Sequence, residues 1–332
     1  MEGFIGRRDL LTREQLQSFS VRSDARGACQ LASHLMALAI STTLLATLWG
    51  TWWTVPCFLI QGALLNWLYC GQHELSHGTV FKTRWLNEWA GRVIGFLQLY
   101  PRDFDQIQHF GHHRHTGDWE KDPELLRDPY ELQSYLLWFS GISYWHSRLT
   151  RLVRLMRGRV VESYVRDDEK ELVIREARWH VTLYGMIVVL SIVFQSWVAF
   201  ALWLGPMCAT KWAYMLQGTI KHLGRPHSDN LFENTRTART GMMFHWLGWN
   251  MQYHTAHHLF PSVPFHRLPE LHQAIIAKAG VEPPTMGYFE FQREVIAKLT
   301  RGREVTDYPD DGTWIGAATT SSASDASGHA EA

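Results

Sequence analysis

Between His109 and His115 four of seven consecutive residues are histidine, in the order His109-Phe110-Gly111-His112-His113-Arg114-His115. Histidine is the commonest biological metal ligand, and residues at i, i+3 and i+4 share one helix face, so His109, His112 and His113 can aim three imidazoles at one place. A surface or hydrogen-bonded core position is the ordinary reading of any single one, and a phosphate-contacting loop would use Arg and Lys instead. The same spacing recurs at His254-Thr255-Ala256-His257-His258, and an HxxxH pair stands earlier at His73-Glu74-Leu75-Ser76-His77. Eight such histidines are twice what one zinc site needs and match two metal ions with about four nitrogens each. Imidazole suits iron, zinc and copper, so spacing alone does not name the metal. Bound imidazoles usually donate their second N–H to a carboxylate or carbonyl. Glu74, Asp118, Asp122 and Asn250 are the candidates for that role, with Glu120 and Glu124 close by; salt bridges to Arg114 and Lys121 are the plain alternative for the acidic ones.

Elements must bring three distant clusters together, and the hydropathy pattern says which. Mean hydropathy over the 332 residues is −0.19, but long uncharged runs alternate with heavily charged ones. Gly27 to Gly71 and residues 179–210 contain no Asp, Glu, Lys or Arg. One span of a roughly 30 Å hydrocarbon core takes about 20 apolar residues, so each run suits a helical hairpin. The expected spans are about 29–48, 55–70, 180–194 and 197–220, with Gly50-Thr51-Trp52-Trp53-Thr54 and Gln195-Ser196 as the outer turns. Sixteen tryptophans and eleven tyrosines fit a protein with two bilayer interfaces. The outer turns are uncharged and the opposite segments are rich in Lys and Arg, which places both termini and every histidine cluster in the cytoplasm.

The expected fold is therefore an all-α integral membrane protein, with four transmembrane helices in two hairpins and a cytoplasmic helical cap carrying the histidines. Residues 1–27 read as a charged cytoplasmic segment without a secretory signal, 28–300 as one membrane domain, and 301–332 as a disordered tail. Trp89 to Tyr100 and Leu132 to Trp145 are too short to span and read as interfacial pieces. The basic segment with Arg148, Arg151, Arg154, Arg157 and Arg159, and the mixed-charge run from Arg166 to Glu171 after it, read as solvated helix faces with no assigned chemistry. Leu268 to Ala279 and Tyr288 to Leu299 look like ordinary amphipathic helices. Zero net charge, 32 basic against 32 acidic residues, gives no field that points to nucleic acid. Cys29, Cys57, Cys70 and Cys208 form no CxxC pair and read as buried thiols.

The pattern HxxxH, HxxHH, HxxHH between paired hairpins resembles the membrane fatty acid desaturase and hydroxylase superfamily. His73 to Thr79 is similar to its first histidine box, His109 to Asp122-Pro123 to its second, and His254 to Phe260-Pro261 to its third, within a resemblance covering roughly residues 30–275. It implies two iron ions, dioxygen as co-substrate and externally supplied electrons, in an oxidoreductase that removes hydrogen from unactivated C–H bonds while dioxygen goes to water. It also implies a ninth ligand, His222, in His222-Leu223-Gly224-Arg225-Pro226, which is similar to but shorter than the family's stretch after its fourth helix. His115 falls beside the ligands, and His227, His245, His266 and His272 are left as structural or loop residues. The sequence has no haem-binding His-Pro-Gly-Gly and no dinucleotide fingerprint, so a separate ferredoxin or cytochrome with its reductase is the expected donor. Desaturation of an acyl chain is the leading expectation. Hydroxylation or oxygenation of an alkyl or acyl compound, and desaturation of a small amino-acid-derived metabolite, stay open. A metal transporter would need ionisable groups inside the spans, where only His34 and His180 near the ends and Lys211 occur.

Overall fold

The computed structural model describes residues 10–118, 120–124, 130–226, 228 and 230–301. The expected tail beyond 301 and the start of the amino-terminal segment lie outside the described residues, as does His227. A short helix, α1 (Arg13–Phe19), is opened by a capping box in which Thr12 and Gln15 satisfy each other's backbone N–H groups. The long α2 (Asp24–Thr47) follows from its cap Ser23, and α3 (Thr54–Trp67) returns beside it. Gly50, at φ +85°, turns the chain between them, and Trp52 stacks on Trp53 at 3.6 Å between centroids.

After a one-residue break at Leu68 the chain continues as α4 (Tyr69–Ser76), which carries the first histidine pair. Helices α5 (Arg84–Leu97) and α6 (Arg102–His115) pack against α4 and against each other. Helix α5 is amphipathic: Trp85, Trp89 and Val93 are exposed, while Asn87, Gly91, Ile94 and Gly95 face the core. That is the pattern of a helix lying on a surface. Gly141, at φ +92°, separates α7 (Leu132–Phe139) from α8 (Ile142–Met156), and the mixed-charge run opens α9 (Lys170–Val193) with exposed ion pairs.

The expected span at 197–220 is not one helix. A π-type turn over Phe200–Leu204 leads into α10 (Gly205–Ala209), and Thr210 separates that from α11 (Lys211–Ile220). Pro206 supplies the reason, since it has no N–H to give the carbonyl four residues earlier. That carbonyl, Leu202 O, accepts instead from Gln61 Nε2 at 2.9 Å. Just before the second break Met207 O accepts from Asn66 Nδ2 at 2.8 Å. Among the described residues only α2 and the stretch Asp167–Val193 are long and apolar enough by themselves to cross a bilayer.

Two short turns, α12 (Leu231–Asn234) and α13 (Met242–Leu247), precede α14 (His254–Leu259), which holds the third cluster and stops before Pro261. Helices α15 (Leu268–Ala279) and α16 (Tyr288–Thr300) fall where the sequence pattern puts them. The all-α expectation needs one amendment. Strand β1 (Thr237–Arg239) pairs in parallel with β2 (Thr285–Gly287), Ala238 opposite Met286. Three residues are too few to show a strand's alternation in sequence. The main core runs from Leu64, Trp67 and Leu68 to Tyr214, Trp249 and Phe291, directly beneath the histidine-bearing helices.

Candidate metal centre

Local geometry aligns each cluster before packing joins them. His73 and His77 are one turn apart on α4 and its C-terminus, as are His109 and His113 on α6. Helix α14 is aimed by an unusual turn in which Trp249 (φ +51°) and Asn250 (φ +59°) are both left-handed and Trp249 is fully buried. Such backbone costs of order 1–3 kcal/mol per residue and persists only where packing over-determines it.

The nine histidines named from the sequence meet in two groups. His73, His77, His109, His113 and His257 form one, and His112, His222, His254 and His258 the other, with one ring nitrogen from each member of a group within 4.8 Å of all the others. The groups do not follow the sequence boxes: the second and third boxes each give residues to both. Nε2 of His109 lies 2.8 Å from Nε2 of His77 and 3.0 Å from that of His113, which is 3.1 Å from that of His257. In the other group Nε2 of His222 lies 2.8 Å from that of His254 and 3.2 Å from that of His112.

The partners of the opposite ring nitrogens test whether a metal fits. Nδ1 of His112 donates to both oxygens of Asp122, at 2.9 and 3.0 Å, and Nδ1 of His222 donates to the carbonyl of Asn234 at 3.0 Å. In its neutral form each ring thereby keeps its proton on Nδ1 and turns a lone pair at Nε2 toward the other. A cation between them makes that arrangement favourable. Burial pushes His109 down to about 4 and His222 down to about 3. Burial and the crowd of neighbouring histidines hold His73, His113, His254, His257 and His258 well below the ordinary value. Neutral imidazole is the ligating form. His112 differs: burial alone would lower it, but Asp122 and Glu124 raise it to about 9, so the group is built to face positive charge.

The remaining candidate partners divide. Glu74 is fully buried between two rings, with Oε1 3.4 Å from His73 Nδ1 and 3.5 Å from His257 Nδ1, and burial pushes its carboxyl up to about 8. Asp118 instead caps the following turn through the N–H groups of Glu120 and Lys121 and pairs with the Lys121 ammonium at 3.4 Å. Asn250 donates to the carbonyl of Phe265 and serves the left-handed turn, which Asn tolerates better than most residues. Neither touches a group member among the described residues. His115 is half-buried outside both groups, while His245 and His272 pack their rings on Tyr253.

Sequence reasoning missed two contributors and named a third only as one acid among several. The Asn234 carbonyl is a backbone group, invisible to any motif. Thr116 Oγ1 lies 3.3 Å from His258 Nδ1. Glu124, which sequence proximity put near the site, reaches over both groups, 4.0 Å from His109 Nδ1 and 3.9 Å from His112 Nε2.

Apolar helices beneath two buried histidine groups suited to metal ions define a helical, membrane-associated class of protein. The fatty acid desaturase family model matches residues 47–289, and the chain belongs to that family. It is similar to fatty acid desaturase 3 of Homo sapiens, 22% identical over 307 residues that cover 83% of this chain and 67% of the relative. It is similar to dihydrorhizobitoxine desaturase of Bradyrhizobium elkanii, 25% identical over 264 residues, covering 72% of each chain. A shorter match of 99 residues, 29% identical and covering 30% of this chain and 28% of the relative, is to the sn-1 acyl-lipid omega-3 desaturase (ferredoxin) of Synechocystis. Membership makes the protein an oxidoreductase of the desaturase type.

Proposed function

We propose that the chain is an oxygen-dependent membrane desaturase that binds one iron ion in each histidine group and converts a CH2–CH2 segment of its substrate to CH=CH. The carrying observation is the pair of groups itself, nine ring nitrogens converging on two points beside an internal cavity. The ligands are His73, His77, His109, His113 and His257 for one ion and His112, His222, His254 and His258 for the other. When bound, the irons supply the redox chemistry by which dioxygen attacks an unactivated C–H bond. The substrate gives up two hydrogen atoms, an external donor gives two electrons, and with two protons from solvent one dioxygen leaves as two waters.

The protein's part is positional. Asp122 and the Asn234 carbonyl fix the tautomer and direction of His112 and His222, and the Glu74 carboxyl buried between His73 and His257 limits where those two rings lie, which keeps the site's geometry independent of the substrate. Burial of the site excludes bulk water, which would otherwise intercept reactive species. We place four membrane crossings at α2, α3, α9 and the broken helix through α10 and α11, within one membrane domain over 28–300. The site and both termini face the cytoplasm. The donor is a ferredoxin or cytochrome with its reductase, and an acyl chain is the substrate named by most of the similar proteins.

Anaerobic iron loading tests the metal claim: about one iron per histidine group is expected, and less than about one iron per chain defeats it. Expression with a ferredoxin and its reductase, followed by mass spectrometry of lipid and small-molecule extracts, should show an oxygen-dependent product lighter by two hydrogens. Full activity in His112→Ala would refute the assignment.

A further inference from the structure

The cavity beside the histidine groups has the wrong walls for an acyl channel. Its volume is about 260 Å³, and its lining includes His109, His112 and His222, Tyr100, Arg148 and Arg151, and the carboxylates Asp105 and Glu124. That is at or below the small end of the roughly 300–1,000 Å³ of pockets that enclose drug-sized ligands. Arg148 lays its guanidinium 3.3 Å from the centre of the Tyr100 ring and 4.9 Å from that of Tyr144. Arg151 sits over Phe104 at 5.0 Å and keeps its Nε 3.5 Å from Glu162. Glu162 is shared with Arg154, so it does not use up Arg151. Nη1 of both Arg148 and Arg151 is buried without a hydrogen-bond partner among the described residues. Asp105 accepts from Tyr69 at 2.9 Å and Gln72 at 2.8 Å and feels the Arg148 charge without forming a direct ion pair with it.

An unpaired buried donor on a charged group costs more than one on a neutral group, and two lining one cavity are a standing demand for an acceptor. A planar carboxylate meets it, because guanidinium forks match its two oxygens. A hydrocarbon tail leaves the demand unmet. Building on the desaturase reading, we propose that the substrate is a compact carboxylate whose anionic head binds Arg148 and Arg151 while its saturated carbons lie against the histidine wall. The oxidised carbons then stand a few bonds from the carboxylate, instead of deep along a lipid tail.

The test uses the purified full chain in detergent, iron content recorded, titrated calorimetrically with hexanoate, its neutral isostere hexanamide, and palmitate. Hexanoate should bind at least tenfold more tightly than hexanamide, and no more weakly than palmitate. Arg148→Gln and Arg151→Gln should each weaken hexanoate tenfold or more, with iron content and melting temperature retained. Equal binding of hexanoate and hexanamide, palmitate tighter by tenfold, or unchanged hexanoate affinity in both folded variants would overturn the proposal. Should Arg148→Gln fail to fold, Arg151→Gln and the hexanamide comparison decide. Carboxylate binding that persists in a protein yielding no oxygen-dependent product from any extract removes the desaturase reading and leaves the carboxylate site standing.

Discussion

Asp122 does two jobs with one carboxylate. It holds Nδ1 of His112 and also accepts the backbone N–H groups of Gly117 and Glu124, so the turn after α6 and the orientation of one ring depend on the same two oxygens. Asp122→Asn keeps size and one acceptor oxygen but removes the charge that draws His112 toward the cationic form. Loss of such a partner typically costs 10–100-fold in metal affinity. Chelator competition on the iron-loaded protein should show a drop of that size for Asp122→Asn. Asp118→Ala, four residues away, should leave affinity unchanged, because Asp118 serves only its own turn and Lys121. Equal effects of the two substitutions would mean that the carboxylates act through a general field and not through the hydrogen bond to His112.

At the scale of elements the structure turns on the broken fourth helix and the polar side chains of α3 that accommodate it. Gly62 lets the two approach, since a Cβ there would lie 2.2 Å from Pro206 O. Asn66 then donates to Gly62 O, Met207 O and Thr210 Oγ1 in a fully buried position. In a lipid setting broken helices are tolerated where neighbours satisfy the freed carbonyls. Asn66→Leu strands Met207 O and should destabilise the protein by roughly 1–3 kcal/mol. A fall in the detergent melting temperature is the measurement, and an unchanged melting temperature would show that another donor takes the carbonyl. The break also marks a limit of legibility. Hydropathy shows that 197–220 is apolar, but the consequence of Pro206 depends on Gln61 and Asn66, far away in sequence. The same holds at the site. Spacing of i, i+3 and i+4 is local, so the box histidines could be read from the sequence, whereas His222 came through a family resemblance. Which histidines share a group depends on how α4, α6 and α14 pack, and no spacing encodes that. Arg148 and Arg151 looked like a solvated basic face because their partners, Tyr100 and Phe104, belong to a different segment.

For the whole molecule the distribution of exposed apolar surface is the decisive feature. Leu35, Met36, Ile40 and Leu44 on α2, Val55, Leu59 and Ile60 on α3, and Val188, Val189, Ile192 and Val193 on α9 are all exposed. Soluble monomers rarely show contiguous apolar patches beyond a few hundred Å². Exposed tryptophans form two sets, Trp49, Trp52, Trp53 and Trp197 at the hairpin turns, and Trp85 and Trp89 on α5 with Trp179 in the first half of α9. Amphipathic rings collect at both faces of a bilayer, so two such sets bracket the buried depth. The proposed topology puts the basic cap on the cytoplasmic side and the hairpin turns at Thr51 and Ser196 on the outer side. Impermeant thiol labelling decides this once the exposed Cys29 and Cys208 are replaced by Ser. Thr51→Cys and Ser196→Cys should label in intact cells. Arg157→Cys, at the end of α8, should label only after the membrane is opened. Labelling of Arg157→Cys in intact cells would invert the orientation and put the histidine groups out of reach of a cytoplasmic electron donor. Labelling of Thr51→Cys but not Ser196→Cys would leave α2 and α3 as the one hairpin reaching the outer face, with α9 and the broken helix held within the membrane.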